Sequence, residues 1–245
     1  MPNAYRFCSF NGLRSCGGII MAGKRIKNAL KSIDDKKVYS LSEAVKLVKT
    51  NATAKFDETV EISINLNVDA KKAEQNIRGV LSLPHGTGKV YKVAVFARGP
   101  KAEEAKKAGA DLVGAEEIVD QILKGDIPFD KCIATPDMMG VVGKVAKILG
   151  PRGLMPNPKL GTVTMDVVAA LSAIKGGQIE YRTEKAGVVH SRVGKASFTE
   201  SALQENIKAL LDVISKARPA GVKGTYIKKL SLSSTMGPGL QFSVE

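Results

Sequence analysis

Hydroxyl side chains cluster near the end of the chain, in the stretch KKLSLSSTMGPGLQFSVE. Ser231, Ser233 and Thr235 alternate with leucines there, which predicts a strand with one face made of hydroxyls. Such groups both donate and accept hydrogen bonds, and they suit the oxygens of ribose and phosphate. The strand leads into Met236, whose flexible side chain can cover these bonds, and Gly237, where the backbone can approach a ligand closely. A surface strand whose serines face water is the alternative.

The histidines and cysteines show no pattern typical of catalysis or of a metal site. His85 and His190 are far apart in the sequence and Cys132 is isolated, so the spacing of a zinc site is missing. Residues 86–89, GTGK, lack the length and the Ser or Thr of a phosphate-binding loop, and they precede a strand. No G-x-G-x-x-G follows the strand VYKVAVFA. We therefore predict that the protein is not an enzyme and uses no metal ion or cofactor, with a Rossmann-like nucleotide-binding enzyme as the alternative.

The positive charge lies at the two flanks of the sequence. The 245 residues carry a net charge of +13, of which residues 1–37 and residues 174–230 contribute +6 each, whereas residues 38–173 contribute only +2. If the flanks fold together they form one basic body, and such a field is typical of proteins that bind nucleic acid. Lysines that serve only solubility are the alternative.

Two patterns of secondary structure, antiparallel strands and alternating strands and helices, are predicted to position these groups. Residues 59–68 alternate between apolar and polar side chains, which is typical of a half-buried strand in an antiparallel sheet. This style returns after Gly177, where QIEYRTE and GVVHSRVGK are predicted to pair with each other, followed by a long amphipathic helix and a closing strand. In between, apolar strands alternate with helices, including one helix over MMGVVGKVAKILG. The predicted fold is an α+β discontinuous domain of the split β-α-β type with an antiparallel sheet, into which an α/β Rossmann-like domain is inserted.

The predicted boundaries follow from changes in composition along the chain. Residues 21–87 together with 177–245 form the discontinuous domain, and residues 88–176 form the inserted one. The two crossings are rich in glycine and are predicted to form a two-strand hinge at His85, Gly86, Gly176 and Gly177. Residues 1–20 lack acidic side chains and are predicted to be a disordered leader or an extension from an upstream start codon, since MAGKRIK reads as a natural start. An organelle-targeting peptide or a functional arm is the alternative.

Five stretches of the sequence resemble the bacterial-type "L-one" family of large-subunit ribosomal proteins. They are AKFDETVE, NIRGVLSLPHGTGK, LGPRGLMPNPKLGTVT, GVVHSRVGKASF and STMGPG, and they follow the order of the family from Met21 onward. The resemblance implies a component of the mobile stalk beside the tRNA exit site, with an RNA-binding discontinuous domain. It also implies that the protein binds 23S rRNA, assists the release of deacylated tRNA from the E site and represses translation of its own operon by binding the mRNA.

The resemblance implies other large-subunit components as further partners, a monomer within the ribosome and no membrane. It places the protein in the cytoplasm, or on an organelle ribosome if residues 1–20 are a transit peptide.

The predicted RNA contacts come from these motifs and from the hydroxyl strand. Basic groups at the natural start, Lys24, Arg25 and Lys27, are expected to reach phosphates. The other contacts implied by the resemblance are Lys55, Phe56, Thr59, His190, Gly194, Lys195, Ser197, Lys229, Ser231, Ser233, Thr235, Met236 and Gly237. Phe56 shares the parity of the apolar positions in its strand, so packing in the core is an open alternative. Arg152 and Lys159, in a proline-rich loop, are a secondary RNA contact or part of a plain rigid connector.

Overall fold

Three β-sheets organise the part of the chain that the computed structural model describes, which is residues 24–243 without residues 35, 36, 70, 71, 73, 74, 115, 126, 220 and 223. The leader predicted for residues 1–20 lies outside the described residues. The helices are α1 Lys24–Lys31, α2 Leu41–Asn51, α3 Pro100–Lys107, α4 Glu116–Leu123, α5 Met139–Val142, α6 Ala146–Leu149, α7 Val167–Lys175 and α8 Glu200–Lys216. The strands are β1 Tyr39–Ser40, β2 Thr59–Leu66, β3 Arg78–Ser82, β4 Val93–Phe96, β5 Leu112–Gly114, β6 Lys131–Ala134, β7 Gln178–Arg182, β8 Val188–Lys195, β9 Ile227–Ser234 and β10 Leu240–Ser243. Among the described helices, none has the length and apolar character needed to span a bilayer.

The largest sheet has five strands in the order β1-β10-β9-β2-β8, with β2 antiparallel to both β8 and β9. The alternation in β2 sends Val60, Ile62 and Ile64 to one face, where each is fully buried. Helices α2 and α8 cover this face with apolar side chains such as Val45 and Leu203. Burial of each Val or Ile side chain contributes about 1.5–3 kcal/mol to the stability of the fold. The apolar face therefore holds the sheet against the helices, and the opposite, polar face remains open.

The second sheet is parallel, in the order β5-β4-β6, and it confirms the predicted change of style along the chain. All four residues of β4 are buried because the strand is covered on both sides. Ala94 and Phe96 belong to one apolar cluster, whereas Val93 and Val95 belong to another.

Residues 138–150 do not form the single helix that we predicted. They form short α-helices, α5 and α6, separated and preceded by 3₁₀ turns at Gly143–Val145 and Pro136–Met138. Glycines at positions 140 and 143 explain the break, because glycine weakens a helix interior by about 0.5–1 kcal/mol relative to alanine. The buried Val142 and Leu149 still reach the apolar cluster.

The third sheet pairs the two segments that cross between the other sheets, and it corrects a predicted pairing. β7 is antiparallel to β3, with Arg78 opposite Arg182 and Ser82 opposite Gln178. β8 pairs with β2, whereas the β7 and β8 segments meet only next to their connecting turn, through the isolated bridge between Thr183 and Val189 and a hydrogen bond from the Glu184 N–H to the Val188 carbonyl at 2.9 Å. The prediction that β7 and β8 pair was wrong because alternation identifies the face of a strand but not its partner.

The chain also does not finish on β9, because residues 235–239 turn back into β10. Leu240 and Phe242 of this strand are buried and pair opposite Leu232 and Leu230. The observed architecture is a mixed α/β fold with several sheets, whereas the domain boundaries at residues 87–88 and 176–177 stay a prediction.

Candidate nucleic-acid interface

The open face of the main sheet carries a row of hydrogen-bonding side chains. At its centre Ser63 lies opposite His190 on β8 and Ser231 on β9, and the Ser63 Oγ is 3.0 Å from the His190 Nδ1. Ser231 and Ser233 are partly exposed on this face, as their alternation with leucines predicted. Lys229 is exposed at the far end of the same row.

Charged side chains of both signs lie on this face beside the predicted contacts. Arg192 on β8 faces Glu61 on β2, with 3.6 Å between Nε and Oε1. Both side chains remain about half exposed, at 57% and 49%. The sequence analysis did not predict this pair, although Glu61 on β2 and Arg192 on the neighbouring β8 lie on the same face of the sheet as Thr59. The exposed pair contributes little to stability, so its guanidinium remains available to an anion.

Three segments far apart in sequence meet where β2 begins and β8 and β9 end. We call these residues, 54–59, 194–198 and 235–237, the corner. The Thr235 N–H donates to the Thr59 carbonyl at 3.0 Å, and the Thr59 N–H donates to the Thr235 Oγ1 at 2.9 Å. The Ala196 N–H donates to the Glu58 carbonyl at 2.8 Å. The structure therefore brings together the following predicted contacts: Lys55, Phe56, Thr59, Gly194, Lys195, Ser197, Thr235, Met236 and Gly237.

Two large apolar side chains protrude from the corner. Phe56 is 54% exposed and Met236 is 48% exposed. The exposure of Phe56 excludes the alternative that it packs in the core. Exposed apolar side chains next to basic groups are typical of surfaces that cover bases and sugars.

Basic groups surround the corner. Lys55 is exposed, and the Lys195 Nζ donates to the Asp57 carbonyl at 3.2 Å. The Arg25 guanidinium in α1 donates to the Met236 carbonyl at 3.4 Å. Lys24 and Lys27 lie in the same helix, but their side chains lie outside what the structure describes.

Asp57 fixes the loop that follows β8. The Ser197 N–H and Oγ donate to the two Asp57 carboxylate oxygens at 3.2 Å and 2.9 Å. Ser197 is therefore held by the protein, and its oxygen can still accept a further hydrogen bond.

Gly237 has an internal reason to be glycine in addition to the predicted one. A Cβ at this position would lie 2.4 Å from the Ser234 Oγ. Ser234 is buried on the opposite parity to Ser233, and its hydroxyl has no partner in strict hydrogen-bond geometry. A side chain at Gly237 therefore requires the Ser234 hydroxyl to move. Gly194 is also buried, against Leu203 and Phe198.

Glu58 is a buried carboxylate at the centre of the corner, and only 2% of its surface is exposed. Burial by itself raises the pKa of this carboxyl. The nearby Ser234 hydroxyl, the hydrogen bonds from the Met236 and Ala54 N–H groups and the positive charge of Arg25 together outweigh burial. The net pKa lies below the ordinary value of 4.5, so Glu58 is ionised at neutral pH.

The proline-rich loop lies at the parallel sheet. Arg152 and Lys159 are both exposed, and the Asn157 Oδ1 accepts from the Lys159 N–H at 3.0 Å. The loop returns to β6 through a bridge between Ala134 and Val163. Among the described residues no hydrogen bond joins either basic residue to the corner.

The predicted hinge residues lie together where the chain crosses between the sheets. Gly86 and Gly177 have φ angles of 66° and 92°, and a Cβ on Gly177 would lie 2.4 Å from the Gly86 Cα. The His85 Nε2 is 2.6 Å from the Glu205 Oε2 on α8. Gly176 is the C-cap of α7 and directly precedes Gly177 in the sequence.

Asn206, which sequence reasoning missed, fastens the first crossing to α8. It is fully buried, its Oδ1 accepts from the His85 N–H at 3.1 Å, and its Nδ2 donates to the carbonyls of Gly86 at 3.2 Å and Val193 at 2.8 Å. An amide within the apolar stripe formed by Leu203 and Ile207 was the available signal, because a buried amide must find partners.

The described residues contain no cluster of His, Cys, Asp and Glu that could hold a metal ion. Cys132 is buried, its Sγ donates to the Leu154 carbonyl at 2.6 Å, and burial raises the pKa of its thiol to about 12. This thiol is protonated at neutral pH and is therefore a poor nucleophile.

The main sheet with its open polar face, and the corner with its basic and apolar side chains, define a protein of the nucleic-acid-binding class. The family model described as the Ribosomal protein L1p/L10e family matches residues 47–238, and the chain belongs to this family. The resemblance that the motifs indicated is thereby confirmed. The family consists of structural RNA-binding proteins and not of enzymes, and membership assigns the chain a structural, rRNA-binding role in the large ribosomal subunit.

Proposed function

We propose that the chain binds 23S rRNA at the mobile stalk of the large subunit through the corner and the adjoining polar face of the main sheet. The supporting observation is the meeting of three distant segments at the corner, where Phe56 and Met236 protrude between Lys55, Lys195 and Arg25. No other described surface gathers as many of the predicted contacts.

The corner suits a folded RNA because its groups match the exposed parts of the nucleotide. Ser231, Ser233 and Thr235 bond ribose hydroxyls and phosphate oxygens, and each bond adds about 0.5–1.5 kcal/mol net. Phe56 stacks on a base or a sugar. In other proteins, replacement of a stacking aromatic residue by alanine costs about 1–3 kcal/mol of binding free energy per base. Met236 covers these bonds and excludes water. The set recognises the shape of the RNA, whereas the lysines add attraction that depends on salt.

The finer roles that the resemblance implies form part of the same proposal. The discontinuous domain also binds a similar fold in the mRNA of its own operon and thereby represses translation. Residues 88–176 form a domain that swings at the hinge and follows the E-site tRNA as it leaves. The protein works as a monomer within the ribosome, beside other large-subunit components, in the cytoplasm.

Footprinting on the large-subunit rRNA tests this proposal. The protein is expected to protect one compact region of 23S rRNA, with strong discrimination against unrelated rRNA fragments of equal length in filter binding. Equal affinity for all fragments at about 150 mM salt would leave only nonspecific attraction and would overturn the proposal.

A further inference from the structure

We propose that Glu58 is a positioning residue for RNA recognition, which holds the loop of Phe56 and the turn of Met236 in their protruding arrangement. The inference rests on the proposed function, because it concerns the same surface. Glu58 itself is buried and does not touch the RNA.

The contacts of Glu58 reach all three segments of the corner. Its Oε1 accepts from the Ala54 N–H at 3.0 Å, two residues before Phe56, and its Oε2 accepts from the Met236 N–H at 3.1 Å. Its own carbonyl accepts from the Ala196 N–H at 2.8 Å. One side chain thus fixes the distance between the two protruding residues.

Only an ionised carboxylate serves both partners. Each oxygen accepts from a backbone N–H, so both ends of the group must be acceptors. A glutamine has the same shape but presents an NH₂ group to one of the two N–H groups. The substitution therefore replaces a hydrogen bond with two facing donors, and the loop or the turn must move.

The sign of the effect on binding separates positioning from simple electrostatics. A carboxylate next to an RNA surface repels phosphates, so removal of its charge strengthens binding if charge alone matters. If Glu58 positions Phe56 and Met236, the same change weakens binding.

The test compares Glu58→Gln with Glu104→Gln, which makes the same change of charge at an exposed position of α3. In filter binding to the protected 23S fragment, Glu58→Gln is expected to lose about tenfold or more in affinity, with an unchanged slope of log affinity against log salt. Glu104→Gln is expected to stay within about twofold.

A double-mutant cycle adds a readout that a general loss of structure would not give. In a chain that already carries Phe56→Ala and Met236→Ala, Glu58→Gln is expected to cost less than about threefold, since the positioned groups are gone. An equal loss in both backgrounds would show that Glu58 acts elsewhere and would overturn the inference.

Affinity of folded Glu58→Gln equal to or above that of the wild type would also overturn it. If circular dichroism shows that this variant does not fold, Glu58→Asp takes its place, because it keeps the charge but cannot span both N–H groups. Wild-type affinity in folded Glu58→Asp would contradict the inference. A wild-type protein that does not prefer the 23S fragment would instead refute the proposed function, so the two failures are distinguishable.

Discussion

At the scale of single residues, the hydroxyl of Thr235 serves the fold as well as the proposed interface. Its Oγ1 accepts from the Thr59 N–H at 2.9 Å and donates to the Thr59 carbonyl at 3.2 Å. A hydroxyl has one proton and two lone pairs, so one lone pair remains to accept from a ribose 2′-hydroxyl. The same side chain therefore closes the corner and keeps an acceptor for the proposed interface.

Replacement of Thr235 by valine is expected to reduce the affinity for 23S rRNA by ~1–3 kcal/mol. Valine keeps the shape but leaves the Thr59 N–H unpaired and removes the acceptor. Filter binding measures the loss, and Thr235→Ser, which keeps the hydroxyl, is expected to remain near wild type. A valine variant that binds as tightly as the serine variant would remove this hydroxyl from the interface.

Lys195 is expected to act through charge and not through shape. Its ammonium lies 3.2 Å from the Asp57 carbonyl, a neutral partner that can be exchanged for a phosphate. Lys195→Ala should reduce the slope of log affinity against log salt by about one unit. The matched control is Lys208→Ala, at an exposed position of α8, the helix that packs on the apolar face of the sheet. Equal slopes for the two variants would contradict a phosphate contact.

At the scale of elements, the first crossing is fixed at both of its ends. Asn206 on α8 bonds the backbone of His85 and Gly86 at the main sheet. At the parallel sheet, a hydrogen bond from Lys89 lowers the pKa of Asp130, with 3.1 Å between Nζ and Oδ1. Residues 87 and 88 lie between these two contacts, and we expect the proposed swing to occur there.

The close contact of the two crossings can be tested with a pair of glycines. Gly177→Ala is expected to destabilise the protein by more than the ~1–2 kcal/mol of a left-handed backbone, because the new Cβ meets the backbone of Gly86. Gly125→Ala is the control, since its φ of 93° is nearly the same but nothing lies within 4 Å of the added Cβ. Urea denaturation measures both, and equal losses would mean that the crossings separate without cost.

At the scale of the whole molecule, the flanks of the sequence do fold together. Apolar residues from positions 33–83 and 179–242 share one core, whereas positions 93–174 contribute to the two clusters around the parallel sheet. The second basic flank thereby shares one body with the described end of the first, to which Ile33 and Arg25 belong, and the Arg25 guanidinium reaches the corner.

This division predicts that the inserted part is dispensable for RNA binding. Gly86 and Gly177 are in contact, so about three glycines can replace residues 88–176. The shortened chain is expected to keep the 23S affinity of the full chain within about tenfold. A folded variant that loses all preference for 23S rRNA would show that residues 88–176 belong to the binding surface.

Much of the site was predictable because local patterns decide it. The alternation in β2 and β9 determined which side chains face the core, and it correctly separated Ser231 and Ser233 from the leucines. The continuous apolar run of β4 determined a parallel sheet covered on both faces. The motifs determined the family, because several long stretches agree with it in order.

Only the tertiary structure decided which elements meet. Strand periodicity gives no partner, so the pairing of β7 with β3 instead of β8 depends on how the whole chain packs. The partners of Glu58 and Asn206 could not be predicted for the same reason, since they include backbone groups from distant segments. A polar side chain in a core needs hydrogen bonds, but the sequence does not contain the distances that supply them.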